Sequence, residues 1–288
     1  MLLEQVKKTV LFKQSFFGLP WVVIGAIFPY FLTASFSLYP DSSIPYLFVS
    51  LAFLSARFSG MAFNRLIDHF SDAKNPRTAG RPLPQGEMSR QSVAFIACGF
   101  LAFFFFSMSQ INSLTFQLSP FIGILIVLYS FTKRFTWLCH FVLGFIQFFT
   151  HLCASVAAFG IFYWPSVYLG VSLAFCITAN DILYACQDME FDKREKLFSI
   201  PCCFGYKKAV FIAKSLHAFS VLSLVMFGMQ CKLSAIYFMG PLCAGVLFFV
   251  TYRALLKMPL ETIFTWSNIS FSLAIMTSIL GELLCRVL

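Results

Sequence analysis

The sequence predicts an all-α, polytopic membrane protein: nine transmembrane helices around a central cavity, forming one membrane-embedded domain over 1–288. Three observations carry that expectation. Hydrophobic residues make up 59% of the 288 and charged ones only 11%, against about a quarter charged in soluble domains. Mean hydropathy is +0.81. Apolar residues also gather in unbroken runs of about 20, the length that crosses a bilayer as a helix, without the alternation of barrel strands. A soluble enzyme, a disordered chain and a secreted disulfide scaffold are excluded on composition.

The runs lie near 15–37, 43–63, 92–109, 113–130, 136–160, 163–185, 208–230, 233–256 and 261–284. The first is expected to be a span and not a cleaved signal, because no small-residue cleavage site follows it before the second. Cations test the count. With the N-terminus cytoplasmic, one aqueous face receives Lys7, Lys8 and Lys13, then Arg65, Lys74, Arg77, Arg81 and Arg90 around the second loop. It also receives Lys133 and Arg134, then Lys193, Arg194, Lys196, Lys207 and Lys208, and finally Arg253 and Lys257. The opposite face has Lys232 and Arg286, while Arg57 and Lys214 lie inside hydrophobic runs. Such asymmetry is the positive-inside pattern of a multi-pass protein of the bacterial inner or plasma membrane type, with its C-terminus outside. The net charge of +9 is thereby explained by topology and contact with an anionic lipid bilayer, and no nucleic acid is expected as a partner.

The ten cysteines are scattered singly apart from Cys202–Cys203, with no C-x-x-C pair, and read as packing hydrophobes. The four histidines (His69, His140, His151 and His217) make no i, i+4 pair. No zinc site is expected.

The acids are more telling. Eight of twelve fall in two stretches, Asp68, Asp72 and Glu87, then Asp181, Asp188, Glu190, Asp192 and Glu195. Continued as helix, the second run places Asn64, Asp68 and Asp72 at i, i+4 and i+8, one narrow stripe with Arg57 two turns deeper. Asp181, Asp188 and Asp192 stand at i, i+7 and i+11, with Tyr184 beside them. Basic segments follow both stretches. A solvated helix end would explain the acids but not Arg57 inside a span, and ionisable groups at membrane depth mark function.

Two carboxylate stripes could each hold a Mg²⁺ through one or two oxygens, leaving its other positions for water and phosphate. Lys74, Arg77, Arg81, Lys133, Arg134 and Lys193 could neutralise the remaining charge of a diphosphate, Arg bidentately. A diphosphate so clamped is a good leaving group. If it carries an allylic chain, departure leaves a carbocation that aromatic faces such as Tyr184 could stabilise.

These residues resemble the UbiA superfamily of intramembrane aromatic prenyltransferases. Its pattern N-x-x-x-D-x-x-x-D, then R-T-x-x-R-P-L-P, is met by Asn64, Asp68, Asp72, Arg77, Thr78, Arg81, Pro82, Leu83 and Pro84. D-x-x-Y-A-x-x-D-x-x-x-D is met by Asp181, Tyr184, Ala185, Asp188 and Asp192, and a loop signature by Tyr129, Lys133, Arg134 and Thr136. The motifs span 64–84 and 181–201. The resemblance implies Mg²⁺, two ions, on Asn64, Asp68, Asp72, Asp188 and Asp192, with Asp181 and Tyr184 in or beside the site. It implies diphosphate contacts from Lys74, Arg77, Lys133 and Lys193. The runs around Arg57, Met61 and Asn75–Thr78, and around Gln187 and Ser199–Pro201, resemble the 4-hydroxybenzoate polyprenyltransferase branch. They are particularly similar to its relatives in the futalosine route to menaquinone. Arg57 could then pair with the acceptor carboxylate or with diphosphate. Departures are Ser130 where Pro is usual, Lys196 where Gly is common, and Lys13-Gln14 for a Glu-His pair. None is a metal-binding position.

The expected activity is Mg²⁺-dependent transfer of a polyprenyl group from polyprenyl diphosphate to a hydroxylated aromatic acid. Asp181 is the expected base, about two turns deeper than Asp188. Two rivals predict different patterns. A CDP-alcohol phosphotransferase would carry a D-G-x-x-A-R core, which is missing. A transporter would place its acids near span midpoints beside broken helices, whereas here they sit at helix ends beside basic loops.

Overall fold

The computed structural model describes residues 2–15, 18–32, 44–160, 162–255 and 257–287, and among these all regular structure is helical. Two short helices, α1 (Leu2–Thr9) and α2 (Phe12–Ser15), precede α3 (Leu19–Leu32). The long helices are α4 (Ile44–Lys74), α5 (Arg90–Ser109), α6 (Ser113–Thr132), α7 (Cys139–Phe159) and α8 (Ser166–Ala185). Two short ones, α9 (Met189–Arg194) and α10 (Ile200–Phe204), then lead into α11 (Tyr206–Gln230), α12 (Ala235–Ala254) and α13 (Leu260–Val287).

Eight helices among the described residues are long and apolar enough to cross a membrane. They coincide with predicted runs two to nine. The first run is represented by the 14 residues of α3, and positions 16, 17 and 33–37 of it lie outside the described residues. Local chemistry sets the ends. Asn112 accepts from the Thr115 N–H at 2.9 Å while Thr115 Oγ1 takes the Asn112 N–H, a reciprocal cap on α6. Ser89 caps α5 through the Ser92 N–H. Gly160 ends α7 at φ 67°, a left-handed position that suits glycine.

Helix α4 runs 31 residues, eleven beyond the predicted end of its apolar run, so the whole first acid stripe is helical. The second stripe differs from the expected single helix. A 3₁₀ turn over Cys186–Asp188 separates α8 from α9, which tightens the winding and turns Asp188 and Asp192 toward different partners.

The helices pack up and down, α4 on α5, α7 on α8, α8 on α11 and α12 on α13. One buried core joins α3, α8, α11, α12 and α13 through Trp21, Leu173, Phe227, Tyr237, Phe271 and Ile275. Another joins α4, α5 and α6 through Ala52, Phe104, Met108, Ile122 and Ile126. Phe95, Phe211 and Phe249 point outward, as lipid allows and water does not. Between the cores lies a cavity of about 1910 Å³, its open mouth included.

Helices α7 and α8 approach closely at Gly144, where an added Cβ would sit 2.1 Å from Thr178 Oγ1 and 2.8 Å from the Ala174 carbonyl. Gly144→Val is therefore expected to cost about 1–3 kcal/mol by overpacking, seen as a lower melting temperature in detergent.

Candidate active site

Helix α4 turns Asn64, Asp68 and Asp72 into the cavity, with Arg57 deeper along the same wall. Asp68 is 2% exposed and accepts from Asn64 Nδ2 (3.1 Å), Lys133 Nζ (2.5 Å) and Arg134 Nη2 (3.0 Å). Asp72 takes both its bonds from Arg81 Nη1, at 2.7 Å each. The two motif segments meet. Asp188 accepts from Asn75 Nδ2 at 3.0 Å and from Arg77 Nε at 2.9 Å, and a second Arg77 nitrogen closes a bidentate pair. Arg77 also donates to the Tyr184 hydroxyl at 3.1 Å. Burial works against the Arg77 charge, but Asp188 outweighs it and holds the guanidinium above its ordinary pKa.

Asp192 accepts from Ser199 Oγ at 3.1 Å. Deeper, Asp181 meets His140 Nδ1 at 2.7 Å. The Ile200 N–H points at His140 Nε2 from 3.3 Å, so Nε2 is the accepting nitrogen and Nδ1–H donates to Asp181. One imidazole thus ties α7, α8 and the start of α10 together.

Asn64, Asp68, Asp72, Asp181, Tyr184, Asp188, Asp192, Arg57, Arg77, Arg81 and Lys133 all line the cavity. Three of the predicted basic residues do not. Arg134 stands behind Asp68. Lys74 pairs with Glu195 at 2.6 Å and Lys193 lies 3.7 Å from Glu190, both on exposed rims. The reason is local: Lys74 ends α4 and Lys193 lies in the last turn of α9, where long side chains reach water. His140, Asn75 and Ser199 were not singled out from the sequence. Asn75 and Ser199 lie within the two motif segments, whereas His140 lies in an apolar run and gains a partner only where α7 packs against α8.

The donors suit a hard cation, being carboxylate and amide oxygens. Among the described residues no three His, Cys, Asp or Glu side chains converge to hold a metal alone. An ion here would take one or two carboxylates and fill its shell from substrate oxygen and water, which is the habit of Mg²⁺.

The fold and site define a helical membrane protein with two acid stripes cross-linked by arginine over one cavity. The pattern of the UbiA prenyltransferase family matches residues 19–273, and the chain belongs to that family; it is a prenyltransferase and a multi-pass integral membrane protein. It is similar to a 4-hydroxybenzoate octaprenyltransferase of Aliivibrio fischeri ES114, 33% identical over 221 residues, 76% of this chain and 75% of that one. Its counterpart in Shewanella pealeana is 30% identical over 202 residues, 70% of this chain and 69% of that one. The fold is shared with the apo UbiA homologue of Aeropyrum pernix K1 (TM-score 0.81, 23% identity, 96% and 98% of the two chains). It is also shared with an Archaeoglobus fulgidus UbiA homologue bound to GPP and Mg²⁺ (TM-score 0.72, 19% identity, 97% and 99%).

The Arg77–Asp188 pair bridges the two motif segments with partners 32% and 16% exposed. A double-mutant cycle with Arg77→Met and Asp188→Asn, read by thermal unfolding, is expected to give a coupling of about 1 kcal/mol, solvent screening included.

Proposed function

We propose that this prenyltransferase moves a polyprenyl group from its diphosphate to a ring carbon of a hydroxylated aromatic acid. The acceptor is of the 4-hydroxybenzoate or 1,4-dihydroxy-6-naphthoate type, and the setting is ubiquinone or menaquinone biosynthesis. One observation carries the reading: both acid stripes and an intramembrane arginine, which faces Asp181 and Tyr129 without a direct ion pair among the described residues, share one cavity. Arg57 lines that cavity on α4, and among the described residues it has no hydrogen-bond or ion-pair partner. A cation at that depth suits an anionic substrate group, and the acceptor carboxylate is the one that reaches beyond the diphosphate end. The names of relatives at 30–33% identity support this acceptor class.

Asn64, Asp68 and Asp72 on one side and Asp188 and Asp192 on the other would hold two Mg²⁺, which supply charge neutralisation of the leaving diphosphate. Arg77, Arg81, Lys133 and Arg134 already stand within hydrogen-bond reach of those carboxylates, so they can share themselves between acid and phosphate oxygens. Lys74 and Lys193 act at the rim, drawing the anionic head inward. The allylic C–O bond breaks with its electron pair on the diphosphate. The ring carbon ortho to the acceptor hydroxyl then gives its π pair to the new C–C bond. Asp181, oriented by His140, takes the displaced ring proton and aromaticity returns. The Tyr184 ring, 4.9 Å from that of Phe264, offers a π face to the passing cation.

Nine spans, a cytoplasmic N-terminus and an active site opening toward the cytoplasm complete the proposal. Its support is the gathering of Lys and Arg at the motif-bearing end of the bundle.

Membranes containing the protein are expected to prenylate one of the two acceptors with Mg²⁺, to stop with EDTA, and to recover when Mg²⁺ is restored. Activity untouched by chelation would overturn the metal assignment. Asp181→Asn should lower kcat at least tenfold while the Mg²⁺ concentration for half-maximal rate stays put; parallel loss of both would refute its role as base. Arg57→Gln should raise the KM for acceptor well above any change in the KM for donor.

A further inference from the structure

A second, smaller cavity lies deeper in the bundle. It encloses about 460 Å³, its open side included. Its wall is drawn from α3 to α7, with Ala52 and Ala56 of α4, Met108 of α5, Ile126 of α6, and Cys153 and Ala154 of α7. The wall is apolar apart from Thr150 and the Cys153 thiol, and Thr150 spends its hydroxyl proton on the Ile146 carbonyl at 3.0 Å. Such a lining offers water few partners.

Two residues, Phe53 and Thr150, belong to the walls of both cavities. Phe53 is 8% exposed. Its ring fills the space a side chain at Gly18 would occupy, since a Cβ there would fall 2.4 Å from it. The ring stands as a partition. Along α4, Phe53 is eleven residues from Asn64, roughly 16 Å of helix. Straight ahead the main cavity is stopped elsewhere: Trp21 stacks on Phe271 at 5.4 Å and donates to Ser272 at 3.0 Å.

Voids in packed interiors are few and destabilising, because the lining atoms lose dispersion contacts. Ala52 and Ala56, where leucines would close the gap, keep this one open. We propose that this compartment receives the far end of the donor's isoprenoid chain and sets the chain length the enzyme prefers, with Phe53 as the partition the chain must turn past. The occupant is argued from adjacency: through Phe53 and Thr150 the compartment shares a wall with a cavity whose polar end, on the proposed function, takes the anionic head of an apolar-tailed substrate. The inference therefore rests on the proposed placement of diphosphate between the two acid stripes.

The test uses the full chain in nanodiscs with Mg²⁺ and a farnesyl diphosphate analogue bearing a diazirine at its far end. Photolysis and peptide mapping are expected to place most of the cross-links within 49–56 and 150–154, and inorganic pyrophosphate should suppress them at least fivefold. Cross-links that pyrophosphate suppresses but that map to α13 or to lipid would overturn the compartment while leaving the diphosphate placement intact. Cross-links indifferent to pyrophosphate would overturn the placement itself. In a folded Cys153→Phe variant, which fills the compartment, the kcat/KM ratio for geranylgeranyl over dimethylallyl diphosphate should fall at least tenfold. An unchanged ratio would refute the proposal, and if that variant does not fold, the cross-link map on the natural sequence decides.

Discussion

The structure depends on three cavity carboxylates being matched with Lys or Arg, while Asp181 and Asp192 are held by His140 and Ser199. Asp68 is matched by Lys133 and Arg134, Asp72 by Arg81, and Asp188 by Arg77. A buried carboxylate left alone would be strongly penalised in a low-dielectric interior. Each match therefore orders a loop: Arg77 and Arg81 fix the segment after α4, and Lys133 and Arg134 fix the turn between α6 and α7. The active-site rim is shaped by charge, while the rest of the bundle is shaped by apolar packing.

That division explains how one fold can be both greasy and ionic. The apolar helices need no specific partner beyond shape, and their outward phenylalanines meet lipid. Most ionic residues gather at one end and around one cavity, where Asp68, Asp72 and Asp188 are paired with cations, while Glu282 and Arg286 pair at the other end. A substrate with an anionic head and an apolar tail finds the same polarity gradient in the protein that it carries itself. In the proposed reaction the head would react where preorganised cations sit, and the carbocation would form where water is scarce.

Much of this was legible in the sequence because composition and periodicity are strong signals in membranes. Runs of about 20 apolar residues marked helices α4 to α8 and α11 to α13, and i, i+4 spacing put Asn64, Asp68 and Asp72 on one wall. The long extension of α4 was readable only through those acids, since hydropathy falls away after residue 63. The 3₁₀ turn at Cys186–Asp188 was not readable: nothing in Cys-Gln-Asp forbids an α-helix, and the tightening arises where Asp188 meets Asn75 and Arg77. His140 was hidden for a related reason. A lone histidine in an apolar run acquires meaning from Asp181, 41 positions away, and no local pattern encodes that encounter.

Trp21 near the start of the chain donates its indole proton to Ser272, 251 positions later, and its ring stacks on Phe271. One wall of the cavity is thus closed between α3 and α13, two helices far apart in the sequence. During biogenesis the early helices must wait in the lipid with an incomplete inner wall until α13 is inserted. Truncation before that helix would leave Trp21 without Phe271 and Ser272 and that wall of the cavity incomplete.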